Sequence, residues 1–257
     1  MRVTYKNPGF EHSIDSIMLF QTDDTAPNQA DALPYFYPQV DADLLRCKPL
    51  NERKEYLVDV LSDVYSELEP ELNRKVLLYN DHFNKYEGQI NDALTDAFEI
   101  DVRGIFNDLV GNICLNPVCP RFLLERYFDV FCRNSERGAL GITIHEVIHY
   151  IWFYVWNQTF GDSYDEYDHP TMKWILSEMV VESIMRDERL STINPYFPSC
   201  VYSYFQDMMI GGKCMLDTLE ELYQRNRMRD FMAKSYEYCL DHEVEIRSHI
   251  EEALKEF

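Results

Sequence analysis

The segment from Gly141 to Tyr150 reads GITIHEVIHY. Two histidines, His145 and His149, stand four residues apart, and Glu146 directly follows the first. On a helix, residues at i and i+4 share one face, one turn apart, so both imidazoles can offer a nitrogen to a single metal ion. Glu146 is offset around the helix and can reach a water beside that ion without being a ligand. His-Glu-x-x-His is the arrangement of a zinc hydrolase, with two ligands and a general base. The metal acidifies the water, and the carboxylate takes its proton as the water attacks a carbonyl. The positions around the motif, among them Ile142, Ile144, Val147, Ile148, Ile151, Trp152 and Phe153, are apolar. A helix buried by such residues must satisfy its two imidazoles and its carboxylate. A metal does so; the other solution is a core helix whose histidines bond to neighbouring side chains.

Two side chains do not hold a catalytic zinc, and a third ligand is needed. The continuation Tyr150-Ile-Trp-Phe-Tyr-Val155 has neither the glycine nor the third histidine of the metzincins, so that subclass is excluded. The next apolar stretch reads Trp174-Ile-Leu-Ser-Glu178-Met-Val-Val-Glu182-Ser. Glu178 and Glu182 are again at i and i+4, on one face of a helix whose other positions are Ile175, Leu176, Met179, Val180, Val181, Ile184 and Met185. They are either a pair of site carboxylates or the polar stripe of an amphipathic helix. Asp168 and His169, in the loop ahead of that helix, are the other candidates for the third ligand.

His145-Glu146-x-x-His149 followed by Glu178-x-x-x-Glu182 resembles the gluzincin metallopeptidases, the thermolysin-like group of zincins. The resemblance covers about Leu140 to Glu182. It differs in ending the second pair with Glu rather than Asp and in lacking an Asn before Glu178. It implies one zinc ion per chain, held by His145, His149 and Glu178, with Glu146 as the base. Glu182 would hold a ligand histidine by its other ring nitrogen. It also implies a small antiparallel sheet whose edge strand lies ahead of the active-site helix and accepts the substrate as an added strand. By position, Leu109–Leu115 is that strand. A further donor would steady the oxyanion of the tetrahedral intermediate, and Tyr196, Tyr202, Tyr204, His169 and His242 are the candidates.

Two other readings use the same residues. A di-iron carboxylate protein would employ Glu146-x-x-His149 together with Glu166-x-x-His169 and further glutamates. Pro170 disfavours helical geometry at His169, and such a bundle has no need of His145. A zincin-like protein without activity would act by binding alone, but it would not require Glu146.

The elements that must position these groups read as mainly helical. Apolar spacing predicts a helix over Glu55–Leu68, a second opened by Pro70 and running to about Glu99, with Gly88 as a candidate break, and the motif helix from about Glu136–Ala139 to Trp156. Another helix starts at Pro170, capped by Asp168 or His169, and ends near Glu188. From about Val201 the chain is mostly helical again. Leu109–Pro117 is the best strand, Arg121–Cys132 is ambiguous, and short strands are expected near Arg2–Tyr5 and Ile14–Phe20. Prolines at 8, 27, 34, 38 and 49 mark residues 1–48 as an irregular arm. The expected fold is therefore α+β, mainly α. It comprises the arm at 1–48 and a zincin-like catalytic domain at 49–257, with a small antiparallel sheet and an additional helical region from about residue 200.

The 257 residues suffice for a sizeable core, and 9 glycines are too few for a turn-dense all-β fold. A net charge of −21 repels nucleic acid and anionic membranes, and it reads as simple solubility or as a preference for basic or neutral substrates; a peptide or protein substrate is what the gluzincin resemblance implies. No apolar run approaches the ~18 residues of a membrane span. The opening MRVTYKNPGFEHSID lacks an apolar signal core, and seven cysteines show no Cys-x-x-Cys pair, so a cytoplasmic protein with reduced thiols is expected. Elemental analysis of protein purified without chelators should find about one zinc per chain. Two irons per chain would instead bring Glu166 and His169 into the site.

Overall fold

The computed structural model describes residues 1–21, 28–162, 167, 169–194 and 201–255. They are mainly helical with a small sheet. In chain order the elements are β1 (Val3–Lys6), α1 (Phe10–Met18), α2 (Asn28–Phe36), α3 (Ala42–Cys47), α4 (Leu50–Phe98), β2 (Leu109–Cys114), β3 (Arg121–Phe122) and β4 (Tyr127–Phe131). There follow α5 (Glu136–Phe160), α6 (Met172–Arg186), α7 (Glu188–Ser191), α8 (Ser203–Gln206), β5 (Met209–Ile210), β6 (Lys213–Cys214), α9 (Met215–Arg225), α10 (Met228–Asp241) and α11 (Glu243–Lys255). No helix among the described residues is long and apolar enough to cross a membrane.

The chain forms two compact units, one of Arg2–Lys85 with Phe106–Thr143, the other of Met1, Tyr86–Ile105 and Ile144–Glu256. Helices α4 and α5 each contribute to both. This division does not fall at residue 48, and the first 48 residues are not irregular: they hold β1, α1, α2 and α3. The strand expected near Ile14–Phe20 is instead the helix α1, because Ser13, Ile14, Ser16 and Ile17 form one buried face at helical spacing.

In the first unit the sheet order is β1-β2-β4-β3. It is mixed rather than antiparallel: β1, β2 and β4 run parallel, and only β3 is antiparallel to β4. The long helical connection α1–α4 is the kind of crossover that parallel strands require. The expected edge strand is therefore an interior one. β2 is bonded on one side to β1 (Val3 opposite Leu109) and on the other to β4 (Asn112 opposite Asp129), leaving no ladder for an added strand. The ambiguous stretch Arg121–Cys132 is the β3–β4 pair.

The outer edge of β1 is closed by Asn80 of α4, whose amide accepts from the Tyr5 N–H at 3.0 Å and donates to the Tyr5 carbonyl at 3.0 Å. The Tyr5 ring meets Tyr79 edge to face at 5.5 Å. On the β4 side, the fully buried Asp129 accepts from Ser16 Oγ at 2.5 Å and sits 2.8 Å from His12 Nε2, which ties α1 to the sheet. Pro70 does not open a helix; it lies inside α4, and Gly88 does not break it. An interior proline forfeits one backbone bond, at about 3 kcal/mol. Burial of Leu57, Leu61 and Tyr65 before it and Leu72, Tyr79 and Phe83 after it keeps the helix continuous through that loss.

The second unit is built around α6. Every residue from Met172 to Met185 is buried except Trp174, and α6 packs against α9 and α10. The α5 segment of this unit docks on α10 through its tryptophans: Trp152 meets Phe231 at 5.8 Å and Trp156 meets Tyr236 at 5.2 Å, both edge to face. The cap of α6 is Thr171, whose hydroxyl accepts from the Trp174 N–H at 3.2 Å, rather than Asp168 or His169. Thr171 has the extended backbone that an N-cap needs and is the residue directly before the first helical turn.

Gly111 is the tightest glycine of the sheet. A Cβ there would lie 2.8 Å from Cδ1 of the buried Tyr5 ring and 3.4 Å from Phe128. Gly111→Ala is expected to destabilise the protein by about 1–3 kcal/mol, read as a lower thermal midpoint. An unchanged midpoint would mean that the Tyr5 ring gives way freely.

Candidate metal centre

Ser135 directly precedes helix α5, its hydroxyl accepting from the Gly138 N–H at 3.1 Å, and the helix continues without interruption through the histidine motif. One face of it carries a column of rings at four-residue spacing. His145 meets His149 at 4.8 Å between centroids. His149 lies nearly parallel to Phe153 at 6.4 Å, and Phe153 stacks on Tyr167 at 4.4 Å. His149 is fully buried, so its ring plane is set by this column rather than by solvent.

The column turns the same nitrogen of both histidines to one point. His145 Nε2 and His149 Nε2 are 3.1 Å apart. The Glu178 carboxylate of α6 faces them, with Oε1 3.7 Å from His149 Nε2 and Oε2 4.0 Å from His145 Nε2. Donors on a tetrahedral zinc with bonds of 2.0–2.1 Å stand about 3.3 Å from one another. The two nitrogens already have about that spacing, and the carboxylate oxygens exceed it by about 0.4 and 0.7 Å. The donor chemistry, two imidazoles and one carboxylate, also suits zinc. These residues fit the ion, and His145, His149 and Glu178 are the ones that would hold it.

Glu146 sits beside this triangle. Its Oε1 is 3.9 Å from His145 Nε2, and its ligand atoms and those of the two histidines lie within 4.8 Å of one another. His145-Glu146-His149 is thus the closest acidic and imidazole cluster on α5 itself. Glu178 completes it from the neighbouring helix and faces both rings, whereas the distances place Glu146 against His145.

Glu182 is buried one turn beyond Glu178, and Arg186 Nη2 is 2.7 Å from its Oε1, an i,i+4 pair on α6. The pairing of Glu182 with Arg186 is readable in the spacing Glu-x-x-x-Arg, a signal that attention to the histidines passed over. His169 is exposed and meets the Trp174 ring edge-on at 4.7 Å. Burial of part of its ring lowers its pKa, and the Glu178 charge works against that. Tyr204 is half-buried, and its pKa is raised by burial first and by the Glu178 charge second. His249 of α11 donates from Nε2 to the Tyr204 carbonyl at 3.1 Å, anchoring that backbone. Tyr202 is 45 % exposed and stacks on Tyr204, with centroids 5.2 Å apart and planes 9° from parallel. His242 is directed elsewhere, with Nδ1 donating to the Tyr238 carbonyl at 2.9 Å. Tyr196, Glu166 and Asp168 lie outside the described residues. Trp174 is the member of this neighbourhood that the sequence reading did not single out; its position next to the α6 cap was the available signal.

No family model matches the chain, and no curated protein or solved structure matches it.

Zinc added to metal-free protein is expected to raise the thermal midpoint. At a free concentration a hundred times the dissociation constant, the stabilisation is about 2.7 kcal/mol. His149→Ala should abolish that rise, and Glu178→Ala should weaken it. A shift that survives both substitutions would place the metal elsewhere.

Proposed function

We propose that the protein is a zinc-dependent hydrolase of peptide bonds, in which His145, His149 and Glu178 hold the metal and Glu146 is the general base. The observation that carries this reading is the convergence of His145 Nε2, His149 Nε2 and the Glu178 carboxylate, 3.1 to 4.0 Å apart, with a further buried carboxylate at their side. A structural zinc site would be closed by a fourth protein ligand and would not need that extra carboxylate.

Bound zinc supplies a Lewis acid for the scissile carbonyl and acidifies the attacking water. The side chains do the rest. The Glu146 carboxylate accepts the proton of the water and returns it to the leaving amine. Glu182, close to Arg186, keeps a second buried charge on α6 without competing for the ligand position. Tyr204, Tyr202 and His169 are the oxyanion candidates among the described residues.

The partner in this reading is a peptide or protein. The net charge of −21 opposes nucleic acid, and the absence of a membrane-length apolar helix among the described residues agrees with action in an aqueous compartment, for which the cytoplasm is our proposal.

Replacing Glu146 by Gln should leave zinc content near one per chain while lowering hydrolysis of a peptide library at least about 100-fold. Hydrolysis that persists in Glu146→Gln overturns the assignment of the base. Zinc binding in the parent protein without any hydrolysis would favour the inactive, zincin-like binding protein.

A further inference from the structure

Around Glu178 the second unit exposes aromatic rings. His169 meets Trp174 edge-on at 4.7 Å, Trp174 lies 6.1 Å from Tyr202 at a tilt of 46°, and Tyr202 stacks on Tyr204. Trp152 and Trp156 of α5 are buried to 2 % exposure or less, but Tyr202 is 45 % exposed, and His169 is exposed as well. The rings therefore form a shelf rather than part of the core. The shelf adjoins the proposed site along α6, where Trp174 stands one helical turn before Glu178.

Aromatic faces carry negative potential, and a cation above them is attracted. A guanidinium adds planar stacking to that attraction. The surroundings reinforce the preference for positive charge. The chain carries a net −21, which favours positive charge at an exposed aromatic surface. The cation that reaches the same neighbourhood from α11, Arg247, donates to the Pro170 carbonyl at 3.1 Å and is held 2.7 Å from Glu243, so its charge is already matched.

We propose that the shelf of Trp174, Tyr202 and Tyr204 receives a basic side chain of the substrate, arginine or lysine, and so makes the site selective for cationic peptides. This rests on the peptidase reading above. Tyr202 is the specificity-determining residue, because its ring is the most exposed of the three.

The test uses full-length Glu146→Gln protein, loaded with zinc so that peptides bind without turnover. Fluorescence anisotropy would compare dye-labelled alanine-based peptides carrying one central Arg, Lys, Leu, Phe or Glu. The Arg and Lys peptides should bind about fivefold more tightly than the Leu peptide, the factor expected of one cation–π contact, with Glu the weakest. Tyr202→Leu should remove the preference, and Tyr202→Phe should retain it, both at unchanged zinc content. Preference for Phe or Leu, or an Arg preference untouched by Tyr202→Leu, overturns the inference while leaving the peptidase reading intact. Failure of the parent protein and of Glu146→Gln to hold zinc overturns the peptidase reading and this inference with it.

Discussion

Two carboxylates, Glu178 and Glu182, are buried on α6, a helix with almost no exposed surface between Met172 and Met185. Taking a carboxylate out of water costs several kcal/mol unless opposite charge or hydrogen-bond donors meet it. The neighbourhood of α6 is arranged around that cost. Glu182 has the Arg186 guanidinium one turn along its own helix, which needs no tertiary partner. Glu178 has the imidazoles of α5, and a cluster of imidazole and carboxylate side chains is the consequence. If α6 had an exposed face, both acids would be solvated there and nothing would draw them toward the histidines.

The second requirement is orientation. An imidazole two carbon–carbon bonds from the backbone can present either nitrogen in many directions. The column His145–His149–Phe153–Tyr167 removes most of that freedom for His149 by stacking, and the docking of Trp152 and Trp156 on α10 holds the register of the helix. Ring orientation secured by packing is present before any ligand arrives, so the ordering cost is met during folding.

The first unit follows a different rule. Its sheet is small, so its integrity depends on closing edges and filling faces. Asn80 bonds both backbone groups of Tyr5 at the outer edge of β1, and Gly111 leaves room for the Tyr5 ring over β2. Asp129, buried in β4, fastens α1 by Ser16 and His12. These are long-range polar contacts made by residues that look unremarkable in the chain.

Much of the candidate site was legible in the amino-acid order. His145, Glu146 and His149 share a helix, and Glu178 and Glu182 share another, because the period of 3.6 residues is a local property that nearby side chains enforce. The strand at Leu109–Cys114 and the helical character of the second half were legible for the same reason. Strand neighbours were not. Whether β2 is an edge or an interior strand depends on β1, more than a hundred residues earlier, and no local pattern encodes a partner at that distance. Pro70 was read by its usual place at a helix start, but burial on both sides of it outweighs one lost backbone bond. The sequence by itself determined which residues lie on which helical face; the tertiary structure alone decided that Glu178 meets the histidines and that Tyr202 remains exposed beside it, since both depend on how helices pack and not on any single helix's period.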